Sequence, residues 1–302
     1  MRIAALFLLL SIPASAGIVD DVRAALAEND FAGADRLAQA YQGQRGANSE
    51  LAAAISWIAR GALAARDLDR AETYADRAYD MAVANQRGRL LDLDQFLPTA
   101  LGASIEVQAQ VLAQRGETSR AVSLLREELA KYRTTSIADR ISKNLNLLSL
   151  AGKPAPTLDA REWIGSKPPA LAALRGKPVL LFFWAHWCSD CKAEVAIIAN
   201  LMRRYSARGL QLVGPTKYYG YMEEGQNATP AQEKAYIQQI FDRYYSPLRS
   251  YISIPLSNAN FTEYGCSSTP TLAIVNKNGV VSWYHPGAAT EAELAAEIEK
   301  VL

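Results

Sequence analysis

Residues 182–194 read FFWAHWCSDCKAE. The apolar run Val179 to Trp184 that leads into this stretch has the length and composition of a buried strand. The segment that leaves it, from about Cys188 to Ala207, predicts a helix. Cys188 and Cys191 therefore stand two residues apart where a strand hands over to a helix. Such a pair admits three uses: a structural staple, part of a metal site, or a thiol pair that exchanges electrons.

Beyond the pair, the order of predicted elements continues as mixed α/β. A strand is expected at Leu210 to Gly214, and a helix at Pro230 to Tyr245, capped by Thr229 with proline at its first position. A short helix comes next at Asn258 to Tyr264. Thr271 to Val275 and Val280 to Tyr284 form a hairpin around Asn276-Lys277-Asn278-Gly279. Thr290 caps a last helix whose Leu294, Ile298 and Val301 face the sheet. The segment KYYGYMEEGQ, residues 217–226, with Tyr244, Tyr245 and Tyr251, is an aromatic insertion that either meets a partner or covers its own sheet edge.

Towards the N-terminus the composition changes at Ala151-Gly152-Lys153-Pro154-Ala155-Pro156, which reads as a domain boundary. Residues 17–150 are rich in Ala, Leu, Arg, Asp and Glu, with Pro98 the one proline, a composition of stacked helices. A degenerate repeat runs through NDFAGADRLAQAY (29–41), RDLDRAETYADRAYDMA (66–82) and RGETSRAVSLLREELAKY (115–132), with Ala34, Ala71 and Ala121 at matching offsets. Ala71 and Ala78 share a helix face, where small side chains permit close helix approach. This pattern resembles the tetratricopeptide repeat, best over residues 52–85, with Ile55 and Ala59 in place of the usual Trp and Gly. The resemblance implies a helical array. It is open to two readings, a surface for a partner protein or a bundle that positions the second domain.

Met1-Arg2, the apolar run Ile3 to Ile12 and the small residues Ala14-Ser15-Ala16 read as a secretory signal cleaved near Ala16. The apolar run is too short to span a bilayer, which takes about 20 helical residues. A periplasmic or otherwise exported chain without a membrane span after cleavage is expected, in a compartment where disulfides persist. The 302 residues are 50% hydrophobic with a net charge of +1. That size suits two domains, and the balanced charge offers no general field for nucleic acid.

Strand, CxxC, helix, then a sheet ending in a hairpin and a last helix is the thioredoxin arrangement. The residues that carry the match are Leu174-Arg175-Gly176-Lys177-Pro178, Phe183-Trp184-Ala185, Trp187-Cys188, Lys192 and Glu194, then Tyr264-Gly265, Thr269-Pro270-Thr271 and Asn278-Gly279. Residues 152–302 resemble the exported TlpA-like and ResA-like thiol-disulfide oxidoreductases. The fold class expected is thus an α-helical, tetratricopeptide-like N-terminal domain (17–150) joined to an α/β thioredoxin-fold C-terminal domain (151–302).

In such a fold Cys188 is the nucleophile, because free N–H groups and the positive dipole end at a helix start favour its thiolate. Cys191 comes round one turn and resolves the mixed disulfide. The resemblance implies a cis bond before Pro270 and substrate contacts from Thr269 and Trp187. It also places Glu194 as an acid that manages the thiol protons, since the thioredoxin aspartate position is Phe182 here. Asp190 between the cysteines opposes the thiolate charge, which points to a reductase with no cofactor, a protein disulfide as substrate and an upstream electron-donor protein.

Two other readings remain. His186 with Cys188 and Cys191 would make a three-ligand Cu(I) or Zn site of a metallochaperone. Alternatively, the helical domain is a scaffold and the cysteines a redox sensor. Cys266 is expected to fill the core, with a third redox partner as the alternative, and His285 to lie in a loop after the last strand.

Overall fold

The computed structural model describes residues 17–302. The expected signal segment, residues 1–16, lies outside them. Among the described residues no helix is long and apolar enough to cross a membrane.

The chain divides into two compact units between Val111 and Leu112. The first holds α1 (Ile18–Ala27), α2 (Phe31–Arg45), α3 (Ser49–Ala64), α4 (Leu68–Gln86) and most of α5 (Leu97–Gln114). Its helix starts are written locally. Asp30, Asn48 and Asp67 each accept a first-turn backbone N–H, from Gly33, Leu51 and Arg70. Pro98 sits at the start of α5, where its missing N–H costs nothing. Ala34, Ala71 and Ala78 are fully buried, as are Ile55 and Ala59 of α3. The repeated alanines therefore mark close helix contacts in this unit.

The second unit opens with α6 (Thr118–Tyr132) and α7 (Ala138–Ser149). The composition changes at 151–156, whereas the compact division comes about forty residues earlier, near the end of α5. Two contacts explain why α7 belongs with the α/β part of the chain. Leu150, which ends it, lies in the same core as Val179, Leu181, Phe261 and Tyr264. Gly265, at φ +61°, lies so close to α7 that a Cβ there would stand 2.5 Å from the carbonyl carbon of Ser142. The proline-rich joint is also tied down. Gly152 and Ala155 donate to the carbonyls of Val281 and Gly279, and Val281 donates to that of Lys153.

After this joint come β1 (Trp163–Ile164), β2 (Val179–Phe183), α8 (Ser189–Tyr205), β3 (Gln211–Val213), α9 (Pro230–Tyr244) and β4 (Ile252–Pro255). α10 (Asn258–Tyr264), β5 (Thr271–Val275), β6 (Val281–Pro286) and α11 (Glu291–Glu299) complete the chain. The sheet order is β1-β4-β3-β2-β5-β6. β3 lies parallel to β2 and to β4, while β5 is antiparallel to β2 and β6 antiparallel to β5. β2 is buried on both faces. Leu180 and Phe182 point into a core with Ile198, Ile237, Leu294 and Ile298, whereas Leu181 and Phe183 meet Phe261 and Tyr264 on the other side. Helices therefore cover both faces of the sheet.

Most elements fall where the sequence places them, and Thr229 and Thr290 each form a full capping box. Leu294 and Ile298 are fully buried, and Val301 packs partly buried against the same core. The sequence reading has no strand between Gly214 and Thr271, yet β4 pairs with β3 there. Four residues ending in proline carry too little alternation to announce a strand, and neighbouring strands decide it. His285, expected in a loop, lies within β6 and stacks on Trp283 with ring centroids 4.9 Å apart.

Candidate active site around the cysteine pair

The exit of β2 is held from two sides. Trp184 donates its indole N–H to the carbonyl of Gly214 at 3.0 Å, and Thr216 donates its hydroxyl to the carbonyl of Trp184 at 2.8 Å. The chain then turns through Ala185, His186 and Trp187 into α8. Cys188 is the N-cap of that helix, with extended backbone dihedrals, and its sulfur accepts the N–H of Cys191 at 3.0 Å. The two cysteines are joined as a disulfide. Cys188 is 4% exposed and Cys191 is fully buried. The Cys191 N–H and the positive dipole end of a helix of 17 residues thus meet the Cys188 sulfur.

One turn further along α8, Glu194 is buried at 2% exposure. It does not pair with Lys192 or Arg203. Its Oε1 accepts the backbone N–H of Ala289 at 3.2 Å. Burial raises its carboxyl above the ordinary 4.5, the Ala289 N–H pulls the other way, and the Asp190 charge adds to the rise. Lys192, beside it in sequence, instead lies over the ring of Tyr244 at 4.6 Å.

The Thr269–Pro270 bond is cis, as the resemblance implies. The loop between β6 and α11 links this proline to the acid, since Gly287 donates its N–H to the Pro270 carbonyl at 2.8 Å and Ala289 reaches Glu194. Trp187 and Thr269, expected to touch substrate, line one cleft of about 200 Å³ together with Lys217, Tyr219 and Cys266. Trp187 is 48% exposed at its mouth. Asp139 of α7 lines the same cleft, a contribution that nothing near the cysteine motif in sequence announces. Cys266 is 3% exposed, and burial pushes its thiol well above the ordinary value. A neutral, buried thiol is a poor nucleophile, so it serves packing.

His186 faces a buried carboxylate. It is 1% exposed, and its Nε2 lies 3.3 Å from Oε1 of Glu233, which is equally buried. Burial lowers its pKa from the ordinary 6.5, with the Glu233 carboxylate opposing. Among the described residues, no group of three His, Cys, Asp or Glu side chains is placed to hold a metal ion. Glu233 is the residue that sequence reasoning missed. Its one local signal is a carboxylate in the first turn of a well-capped helix, which is common on exposed helices.

A mixed sheet with helices on both faces, a cysteine pair at the start of the helix after its central strand and a cis-proline ahead of β5 define a thiol-disulfide oxidoreductase of the thioredoxin fold. Comparison with known proteins agrees. Residues 151–219 match the model of the AhpC/TSA family. The chain is 28% identical over 148 residues to the thioredoxin-like protein YneN of Bacillus subtilis, covering 49% of this chain and 78% of that one. It is 26% identical over 150 residues to the thiol-disulfide oxidoreductase ResA of Bacillus thuringiensis, covering 50% and 78%. Among solved structures, a thioredoxin-family thiol:disulfide interchange protein from Chlorobium tepidum aligns at 20% identity with a TM-score of 0.37, covering 49% of this chain and 95% of its own. Over about half of its length the chain is thus similar in sequence to YneN and to the thiol-disulfide oxidoreductase ResA.

Proposed function

We propose that the chain is an exported reductase of protein disulfides, with Cys188 as attacking thiol and Cys191 as resolving thiol. The observation that carries this reading is the Cys188 sulfur at the N-cap of α8 with the Cys191 N–H directed at it. In the dithiol form the same donors stabilise a thiolate below the ordinary thiol value of about 8.5. The Cys188 thiolate attacks one sulfur of a substrate disulfide, forming a mixed disulfide and releasing one substrate thiolate, which takes up a proton. Cys191, its proton accepted by Glu194, then attacks the Cys188 sulfur and releases the second substrate thiol. Two electrons and two protons reach the substrate, and the enzyme is left as the Cys188–Cys191 disulfide. An upstream dithiol protein returns it to the reduced state.

Glu194 suits this role because it is buried, raised in pKa and one helical turn from Cys191. Asp190 lies in the first turn of α8, where its charge opposes a thiolate and so favours giving electrons away. Trp187 and Thr269 on the cleft, with the cis bond before Pro270, supply the surface for an extended substrate segment. Export rests on the N-terminal sequence and on the compartment in which such disulfides endure.

Trapping tests this reading. A Cys191→Ser variant expressed in the native host should accumulate mixed disulfides through Cys188, identified by mass spectrometry after non-reducing separation. The reduced wild-type protein should precipitate insulin by reducing it. Absence of any Cys188-linked partner together with intact insulin would overturn the assignment.

A further inference from the structure

The exchange mechanism leaves a deeply buried acid unused. Glu233, on the first turn of α9, is 1% exposed and lies on a different helix from Glu194. A carboxylate so deeply buried requires partners. Three surround it. Oε1 accepts the backbone N–H of Tyr219 at 2.6 Å, Oε2 accepts that of Gly220 at 2.8 Å, and His186 Nε2 stands 3.3 Å from Oε1.

Those partners lie on two separate stretches of chain. Tyr219 and Gly220 belong to the aromatic insertion, whose turn uses the left-handed conformation of Gly220 at φ +84°. His186 belongs to the turn that delivers Trp187 and Cys188. Around the imidazole stand the rings of Tyr219, Tyr221 and Tyr236, edge-on, with centroids 5.3–5.5 Å away. Tyr219 also meets Trp187 edge-on at 5.4 Å. Trp187 and Tyr219 both line the cleft; the first lies next in the chain to His186, the second donates its own N–H, and both of those groups thus stand against one carboxylate.

We propose that Glu233 is a positioning residue for substrate recognition: it fastens the 217–221 loop to the His186 turn, so that Tyr219 and Trp187 form the wall against which a polypeptide substrate packs beside its disulfide. This rests on the reductase reading and deepens it. Glu233 touches neither sulfur. Its loss therefore acts on the recognition of a large substrate more than on the exchange chemistry, which a small disulfide reaching Cys188 alone reports.

The test compares two disulfides. Full-length wild-type and Glu233→Gln proteins, reduced and freed of reductant, are assayed against insulin and against dithiobis-nitrobenzoate, a small aromatic disulfide. The ratio of kcat/KM for insulin to that for the small disulfide should fall about tenfold in the variant, mainly through KM. An unchanged ratio, whether both rates drop together or neither does, overturns the proposal, because a merely structural carboxylate would lower both alike. Trp187→Ala changes an exposed side chain and should fold even if Glu233→Gln does not. It should lower the same ratio, and failure to do so counts equally against the wall.

Amide hydrogen exchange of the oxidised protein gives a readout independent of activity. The N–H groups of Tyr219 and Gly220 should exchange at least about tenfold faster in Glu233→Gln, and equal protection in both proteins removes the fastening. A wild-type protein that reduces neither disulfide would sink the reductase reading. The exchange measurement would still decide whether Glu233 holds the loop.

Discussion

Glu194 on α8 accepts the backbone N–H of Ala289, 95 residues later in the chain, at 3.2 Å. The same short loop delivers the Gly287 N–H to the Pro270 carbonyl. One backbone segment thus joins the proposed proton acceptor to the cis-proline that follows Thr269 of the cleft. Burial raises the Glu194 pKa, and the folded protein therefore holds its proton more tightly than the unfolded chain does. The contribution of this group to stability consequently falls as pH rises from the ordinary 4.5 through the raised folded value, and is constant above it.

Glu194→Gln keeps an acceptor for Ala289 and removes the buried charge. The oxidised variant should be more stable than wild type at pH 8 in urea titrations, with the difference shrinking towards zero as pH falls below 4.5, the ordinary value. Its turnover in insulin reduction should drop roughly tenfold or more, as expected when a group that accepts a proton from the resolving thiol is lost. A stability difference that grows at low pH would contradict the burial of an acid held above its usual range.

The three thiols should separate sharply in an alkylation experiment. In the reduced protein, Cys188 at the N-cap of α8 should react with iodoacetamide as a thiolate, with a titration midpoint below the free-thiol value of about 8.5. Cys266 should stay unmodified until denaturant is added, because burial both hides its sulfur and keeps it protonated. Mass spectrometry of peptides alkylated at graded pH reads both outcomes. Reaction of Cys188 at the rate of free cysteine across the series would remove the basis for its role.

Gly265 should tolerate no side chain. It ends α10 in the left-handed conformation and abuts the backbone of Ser142 and Lys143. Gly265→Ala combines the cost of a left-handed alanine with a clash against backbone that cannot yield, together roughly 2–4 kcal/mol of lost stability. Denaturant unfolding followed by circular dichroism gives this value. A neutral substitution would mean that α7 does not pack on α10.

Trp184→Phe should loosen the exit of β2. The indole N–H to the Gly214 carbonyl is lost, along with part of a ring whose centroid lies 4.4 Å from that of Tyr245. A buried carbonyl losing a donor and a new void together cost about 2–4 kcal/mol. Thermal denaturation of the oxidised protein should show the corresponding fall in Tm. Trp184→Phe matching wild type would show that the strand exit is fixed without the indole.

The cysteine centre was legible because its signals are local. Cys188 at a helix start, the strand before it, the capping threonines 229 and 290 and the turn at Asn276–Gly279 all depend on residues within a few positions of each other. Glu194 is named through the resemblance to ResA-like proteins, with an exposed helical glutamate as the other reading, and what decides its burial is the loop reaching back through Ala289. The same limit hid β4, which exists by pairing with β3, and the neighbour of His186, Glu233, which comes from another helix.

The amino-acid order alone therefore established which sulfurs pair at a helix start, which elements carry them and the helical character of the first half, since propensity, period and capping act over one or two turns of chain. Only the tertiary structure decided that residues 112–150 pack with the α/β unit, that Asp139 lines the cleft, and that Glu233 accepts the N–H groups of Tyr219 and Gly220. Those outcomes depend on burying particular surfaces together, and the free energy of burial depends on distant segments meeting, which no local pattern encodes.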